Sequence, residues 1–401
     1  SYSESFMDSG YTVFTNPYAG SGAIKSIEPG FNYLIASVSW LSGVGFNTLF
    51  VFMPTIITVF ASIIAFNIGN KGKNRFGLEA AFCIALIPTT CRMLGPSLFV
   101  PLATGLFLIL FLLWFLEIKK PLVYIFLIPL ILWVIFIIHP PTGLAGMIVT
   151  FIYSITTILK KEYKKGLLTF LILIFPITAG ILFSSRWGES FQQIIEAFFK
   201  GTYFFDYDLA KIWVSFEQMG IIIWVLAVFG MYSAFSKTKN IVLNISISAI
   251  AFIIIIGLYD KFAYGLPILY ERSFMYLFLM IGLLSGWGLA ELRRFTGNLI
   301  KNERFNRKIK NNKKIVFLCK ALTPFLVVII IITTASVHTN IEYYNLIDEK
   351  DYENFQWVRE NIGQFIDLSN KSENKAVLDP IKAASFSAVI CHAQTTKPTV
   401  C

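Results

Sequence analysis

Hydrophobic and polar positions along this chain are grouped in long blocks. Apolar runs recur at about 48–68, 78–94, 98–116, 121–138, 142–159, 167–184, 219–235, 241–258, 268–290 and 315–337. Most approach the roughly 20 residues that a helix needs to cross a ~30 Å hydrocarbon core. Short polar segments separate them. The pattern predicts an all-α polytopic membrane protein with about ten or eleven transmembrane helices. The second run is short and is interrupted by Pro88, which a bundle tolerates where neighbours satisfy the backbone. Phe31–Trp40 is apolar but too short to span, and reads as an interfacial or partly inserted helix. The opening residues show no basic stretch leading into an apolar one, so no signal peptide is read there, and an upstream span is expected to be missing.

One stretch orients the rest. Tyr270-Glu271-Arg272-Ser273 precedes an uncharged run from Phe274 to Ala290. Glu291, Arg293 and Arg294 follow, then a hydrophilic segment that ends at Lys313-Lys314. Basic residues collect in inner loops, which puts Arg293–Lys314 on the cytoplasmic side as a basic loop and Glu271-Arg272 outside. Extended along the chain, this assignment places 20 of the 34 basic residues in inner loops and only five of the 24 acids there or at inner edges. The split accounts for the net charge of +10 without a nucleic-acid partner. The outer face is then the elaborated one.

Three regions follow. Residues 1–47 form a first outer loop with a juxtamembrane helix, 48–337 a transmembrane helical domain, and 338–401 an extracytoplasmic soluble domain, either whole or truncated. In the last, Asp348–Glu353 starts a helix, with Phe355, Val358 and Ile362 at helical spacing. Ala376-Val377-Leu378 looks like a short strand, which makes a small α/β piece. Composition agrees with a multi-pass protein of the cell membrane: 56% of residues are hydrophobic and the mean hydropathy is +0.66. Five cysteines are scattered without metal spacing. Cys83, Cys91 and Cys319 lie in or beside apolar runs, and Cys391 and Cys401 could pair in an oxidising compartment.

Chemistry is expected where charged residues meet the outer face. Asp8, with Glu4 and Glu28 nearby, can act as a general base or hold a divalent cation, or can be a solvated loop acid. Arg272, beside Glu271, Tyr270 and Tyr264, has the planar fork that suits a lipid phosphate, or it anchors the interface. Arg92 sits at an outer helix end, where it either serves a ligand or snorkels. His139, in His-Pro-Pro-Thr-Gly, can donate to a phosphate or sugar, or can cap a helix C-terminus that the prolines stop. Asp206-Tyr207-Asp208 can bind a metal that carries a sugar phosphate, and Glu217 follows in the same outer loop. Glu189–Lys200 looks amphipathic.

Together these residues resemble the GT-C superfamily of polytopic glycosyltransferases, in particular oligosaccharyltransferases and protein O-mannosyltransferases of archaeal or bacterial type. The first outer loop with Asp8-Ser9-Gly10-Tyr11, then Ile27-Glu28-Pro29-Gly30-Phe31, is similar to the family's catalytic-acid loop leading into a helix. Glu271-Arg272-Ser273-Phe274 through Gly286-Trp287-Gly288 is similar to a late span that opens with Arg-aromatic and closes with Gly-x-Gly. Phe355-Gln356-Trp357-Val358 resembles the start of the soluble domain in the oligosaccharyltransferase branch. Where that branch carries Trp-Trp-Asp, this chain has Leu378-Asp379-Pro380-Ile381-Lys382, which speaks against sequon-directed N-glycosylation.

The resemblance implies a donor linked to polyprenyl or dolichyl phosphate, and a protein, glycan or lipid acceptor on the outer face. Asp8 would be catalytic. Arg272, Arg92 and His139 would hold the carrier phosphate. Glu28, Glu217, Tyr264 and Tyr270 would contact substrate or acceptor, and Asp8, Asp206 and Asp208 would bind a divalent Mg or Mn. The alternatives are a transporter or flippase of lipid-linked sugars, and a non-catalytic membrane assembly subunit. Nearly charge-free spans favour chemistry at the outer face over passage.

Overall fold

The computed structural model describes residues 29–71, 76–89, 95–96, 98–118, 120, 123–176, 178, 212–237, 240–262, 267–301 and 313–340. These residues are helical almost throughout, with no strand among them. The chain divides into two compact units, Gly45–Ile341 and a second made of Ser1–Val44 with Glu342–Cys401.

In the second unit the described helix is α1, Pro29–Ser42. It is longer than the expected Phe31–Trp40. Gly43 ends it at φ +68, with its N–H on the Ser39 carbonyl at 2.9 Å, a left-handed cap that glycine adopts without steric cost. Trp40 and Leu41 on its last turn are exposed.

The larger unit contains α2 (Phe46–Asn70), α3 (Gly77–Ala85), α4 (Pro101–Leu116), a π-helical turn at Val123–Leu127 running into α5 (Ile128–Ile138), α6 (Pro140–Leu159), α7 (Tyr163–Ile172), α8 (Ile212–Met219), α9 (Ile221–Lys237), α10 (Asn240–Phe262), α11 (Pro267–Lys301) and α12 (Lys313–Asn340). Four segments are long and apolar enough to cross a membrane: Thr48–Asn70, Pro140–Leu159, Ile241–Phe262 and Arg272–Leu299. Shorter apolar helices cover Pro101–Leu116, Tyr124–Ile138, Ile221–Ser236 and Ala321–Ser336. The fold is that of a helical membrane protein.

α11 is the centre of this unit. It packs against α3, α4, α6, α9, α10 and α12. Every residue from Ser273 to Glu291 is buried, as expected for a helix that is apolar on all sides. Its Gly-x-Gly makes two close approaches. A Cβ on Gly286 would meet Ala80 of α3 at 2.6 Å, and one on Gly288 would meet the Leu226 carbonyl of α9 at 2.0 Å. Small residues let helix backbones approach closely where no water drives association. Between them, Ser285 Oγ donates across to the Ile223 carbonyl of α9, at 2.7 Å.

The structure differs from the sequence reading in three places. α3 stops at Ala85, because Pro88 disfavours helical backbone in the residue before it. α11 continues past Arg293 to Lys301, where the charges were read as a loop. Arg293 reaches Glu79 of α3 at 2.9 Å, and Arg294 pairs with Glu291 at 2.5 Å and lies over the Trp287 ring. The charges here line a helix that extends beyond its apolar stretch. At Pro140-Pro141 the prolines do not simply stop a helix; they occupy the first positions of α6, where proline loses no hydrogen bond. Of the expected 338–401 piece, residues 338–340 belong to α12 and 341–401, with the strand at 376–378, lie outside the described residues, as does the amphipathic 189–200.

Candidate functional site

The best-defined polar group in the larger unit forms where the α5–α6 turn meets the first turns of α11. His139 sits between α5 and α6 in extended backbone, φ −156 and ψ 97, and is 4% exposed. Its Nδ1 accepts the Thr142 N–H at 3.2 Å, so the histidine caps the N-terminus of α6. It also closes the C-terminus of α5, as expected from the sequence, with its backbone N–H on the Ile135 carbonyl at 2.8 Å; the cap on α6 is an added role of the side chain. Thr142 Oγ1 lies 2.5 Å from the same nitrogen and 2.9 Å from the Tyr276 hydroxyl on α11. A consistent proton order runs from Tyr276 O–H to Thr142 Oγ1, and from Thr142 O–H to His139 Nδ1. The imidazole then carries its proton on Nε2.

Backbone packing holds Thr142 in place. A Cβ on Gly105 of α4 would meet its methyl at 2.7 Å, so α4 presses directly on this side chain. The Tyr276 ring packs on Phe252 of α10, with centroids 5.5 Å apart.

Arg272 lies one helical turn before Tyr276, on the same face of α11. It is half-buried, and its charge reaches His139. Burial first, and then the Arg272 guanidinium, push the imidazole down to about 3. The histidine is therefore neutral at physiological pH, near a permanent positive charge. A neutral donor beside a guanidinium is a pairing suited to an anion with several oxygens.

Of the other expected site residues, Tyr270 is fully buried. Its ring stacks on Tyr259 of α10 with centroids at 4.6 Å and meets Phe274 edge-on at 5.5 Å. It braces the turn that carries Arg272. Glu217 is exposed on α8, next to Phe216, whose ring packs on Trp224 of α9 at 4.6 Å. Asp8, Glu28, Arg92, Asp206, Asp208 and Tyr264 lie outside the described residues. Among the described residues no three acidic, histidine or cysteine side chains gather as metal ligands. The sequence reading brought His139 and Arg272 to one face but missed Thr142 and Tyr276. Thr142 carried no capping-box signal, since that pattern has Glu or Gln three residues after the cap. Tyr276 gave none, as one hydroxyl inside an apolar run.

No family model matches the sequence, and no curated protein matches it. Solved structures do match its fold. The Archaeoglobus fulgidus oligosaccharyltransferase, tethered to an acceptor peptide that contains an NVT sequon, aligns over 97% of this chain with a TM-score of 0.60 and 10% identity. The archaeal oligosaccharyltransferase AglB from the same organism, in complex with an inhibitory peptide and a dolichol-phosphate, aligns over 97% with a TM-score of 0.61 and 11% identity. The apo Archaeoglobus fulgidus enzyme gives the same coverage, score and identity as that complex. This chain spans 58–59% of the length of these neighbours. The fold is therefore similar to that of these archaeal oligosaccharyltransferases, in keeping with the fold that the sequence resemblance implied.

Proposed function

We propose that this chain is a GT-C-like glycosyltransferase that moves a sugar or oligosaccharide from a polyprenyl- or dolichyl-phosphate carrier to an acceptor on the outer face of the membrane. The observation that carries this reading is the hydrogen-bonded His139–Thr142–Tyr276 chain, which joins the α5–α6 turn to the central helix one turn from Arg272. A fold neighbour that holds dolichol-phosphate supports it. In this reading the chain is multi-pass, with 1–47 and 338–401 on the outer side.

Arg272 holds the carrier phosphate through its planar fork, and the His139 Nε2–H adds a neutral donor. Thr142 and Tyr276 fix the orientation of that imidazole. The acceptor's lone pair attacks the anomeric carbon, the bond from that carbon to the phosphate oxygen breaks, and the phosphate leaves with the electron pair. Arg272 stabilises the charge that develops there. Asp8 takes the acceptor's proton. A fold neighbour holds an acceptor peptide, so a peptide is the first acceptor to test. Asp8, Asp206 and Asp208 are the candidate ligands for a divalent cation, which would supply charge at the leaving phosphate. Arg92, Glu28, Glu217 and Tyr264 remain candidates for further carrier or acceptor contacts.

The test is transfer from a dolichyl-phosphate-linked sugar by the purified full chain. Asp8→Asn keeps size and removes charge, so transfer should be lost while dolichyl-phosphate binding stays intact. Arg272→Ala should lose both. A wild-type chain that binds the carrier and transfers nothing to any peptide would support the assembly-subunit alternative instead.

A further inference from the structure

A second charged site lies on a different corner of the larger unit, where α6 turns into α7. Lys160, Lys161, Lys164 and Lys165 fall within six positions, with Glu162 among them and Glu117 and Lys71 close by. Lys71 and Lys165 tie the corner together. Lys71 Nζ donates to the Trp114 carbonyl at the end of α4, at 3.1 Å. Lys165 Nζ donates to the Tyr153 hydroxyl at 2.7 Å and lies over the Tyr124 and Tyr153 rings at 5.2 and 5.1 Å. Tyr153 in turn meets the Leu116 carbonyl at 2.7 Å and Glu117 at 3.1 Å.

That network makes the corner rigid. Ser154 Oγ donates to the Gly166 carbonyl at 2.8 Å, and a Cβ on Gly166 would meet Ile158 at 2.4 Å, so α7 is locked onto α6. Lys160, Lys161 and Lys164 stand at the head of α7. Below them Tyr163, Leu167, Phe170 and Leu171 repeat at i, i+4, i+7 and i+8 on one exposed face. Gly166, Thr169 and Ile172 take the buried side. A lysine row over an outward apolar face has the polarity of a membrane interface.

The turn also keeps a lysine where glycine would be easier. Lys161 has φ +66 at the end of α6. Its N–H bonds to the Ile158 carbonyl at 2.8 Å and the Glu162 N–H to the Thr157 carbonyl at 3.1 Å, which together form the usual glycine-closed helix end. An L side chain in this region is strained. Burial pulls Lys160 down, and the charges of Glu117 and Glu162 oppose that. An anion at this corner would relieve the same penalty.

We infer that the Lys160–Lys161–Lys164 corner, with the exposed face of α7 beneath it, binds an anionic phospholipid of the leaflet at the basic end. The lysines take the headgroup phosphate, and Tyr163, Leu167, Phe170 and Leu171 take an acyl chain. Charge complementarity selects this occupant: the leaflet on the positive-inside face is the one enriched in anionic lipid. The inference is independent of the proposed transfer activity.

The experiment uses the full chain in vesicles that mix phosphatidylcholine with spin-labelled phosphatidylglycerol or spin-labelled phosphatidylcholine. The fraction of immobilised label reports association. Wild type should prefer phosphatidylglycerol. Lys160→Gln, Lys161→Gln and Lys164→Gln should each weaken that preference by up to about fivefold, the effect of roughly 1 kcal/mol per lysine. Lys161→Arg should retain it, and Lys261→Gln, an exposed lysine on the last turn of α10, should leave it unchanged. Equal association of the two lipids with wild type, a uniform loss that includes Lys261→Gln, or displacement by soluble glycerol phosphate would each overturn the inference. Unchanged thermal unfolding of the glutamine variants guards against misfolding.

Discussion

Thr142 Oγ1 stands 2.9 Å from the Tyr276 hydroxyl, a contact between residues 134 positions apart. It joins the first turn of α6 to the central helix and hands a hydrogen bond on to His139. All three side chains are buried. A buried polar chain of this kind stabilises only when every member is satisfied. Thr142→Val keeps the shape and the backbone N–H on His139 but removes the hydroxyl, and with it one buried contact each of Tyr276 and His139. It should cost about 1–3 kcal/mol of stability. Tyr276→Phe should cost less, and the double variant less than the sum, a coupling that a double-mutant cycle in detergent-solubilised protein measures.

His139 makes the site's stability depend on acid. Its ordinary value is 6.5, and burial with Arg272 holds it at about 3 in the folded protein. The unfolded chain therefore binds a proton between those values that the folded chain does not. Stability contributed by the neutral imidazole is fully present above pH 6.5 and falls as pH drops toward 3, by at most about 1.4 kcal/mol per pH unit. His139→Asn preserves a capping acceptor and removes the titration. Acid unfolding curves of the two proteins should diverge below pH 6.5, with the variant less sensitive. Parallel curves would show that His139 is not held neutral.

Gly288 fixes how near α9 comes to α11. A Cβ there would fall 2.0 Å from the Leu226 carbonyl, so Gly288→Ala must push the two helices apart, at about 1–3 kcal/mol. Gly297, ten residues further from Trp287 on the same helix, has nothing within 4 Å of its Cβ position. Gly297→Ala should be neutral or stabilising by up to about 1 kcal/mol, since alanine is the better helix former. Thermal unfolding of the pair in one detergent reports the difference. Equal effects would show that the close approach is not what the glycine serves.

Much of the helical framework was legible in the sequence, because a membrane-length apolar block leaves few other choices. The α2, α6, α10 and α11 segments start within a few residues of the apolar runs that predict them. The end of α11 was not legible. Arg293 and Arg294 signal an exit from hydrocarbon, but hydropathy says nothing about whether the backbone goes on coiling. Here it does, and Arg293 on the continued helix meets Glu79, 214 positions earlier in the sequence. His139 shows a second limit. A His-Pro-Pro run marks a break, and the acceptor at Nδ1 adds a cap on α6 to the backbone cap on α5. Sidedness alone led to Arg272 and His139 as candidates on one face. Thr142, which locks the imidazole, lay unread one turn into the next helix.

The most direct measurement is the affinity of the purified full chain for dolichyl phosphate, in wild type, Arg272→Lys and Arg272→Ala. A guanidinium holding a partly desolvated phosphate should be worth about 2–5 kcal/mol, so Arg272→Ala should weaken binding at least roughly thirtyfold. Arg272→Lys should restore part of it, since lysine keeps the charge without the two-pronged fork. Equal affinity in all three proteins would contradict the proposed carrier site.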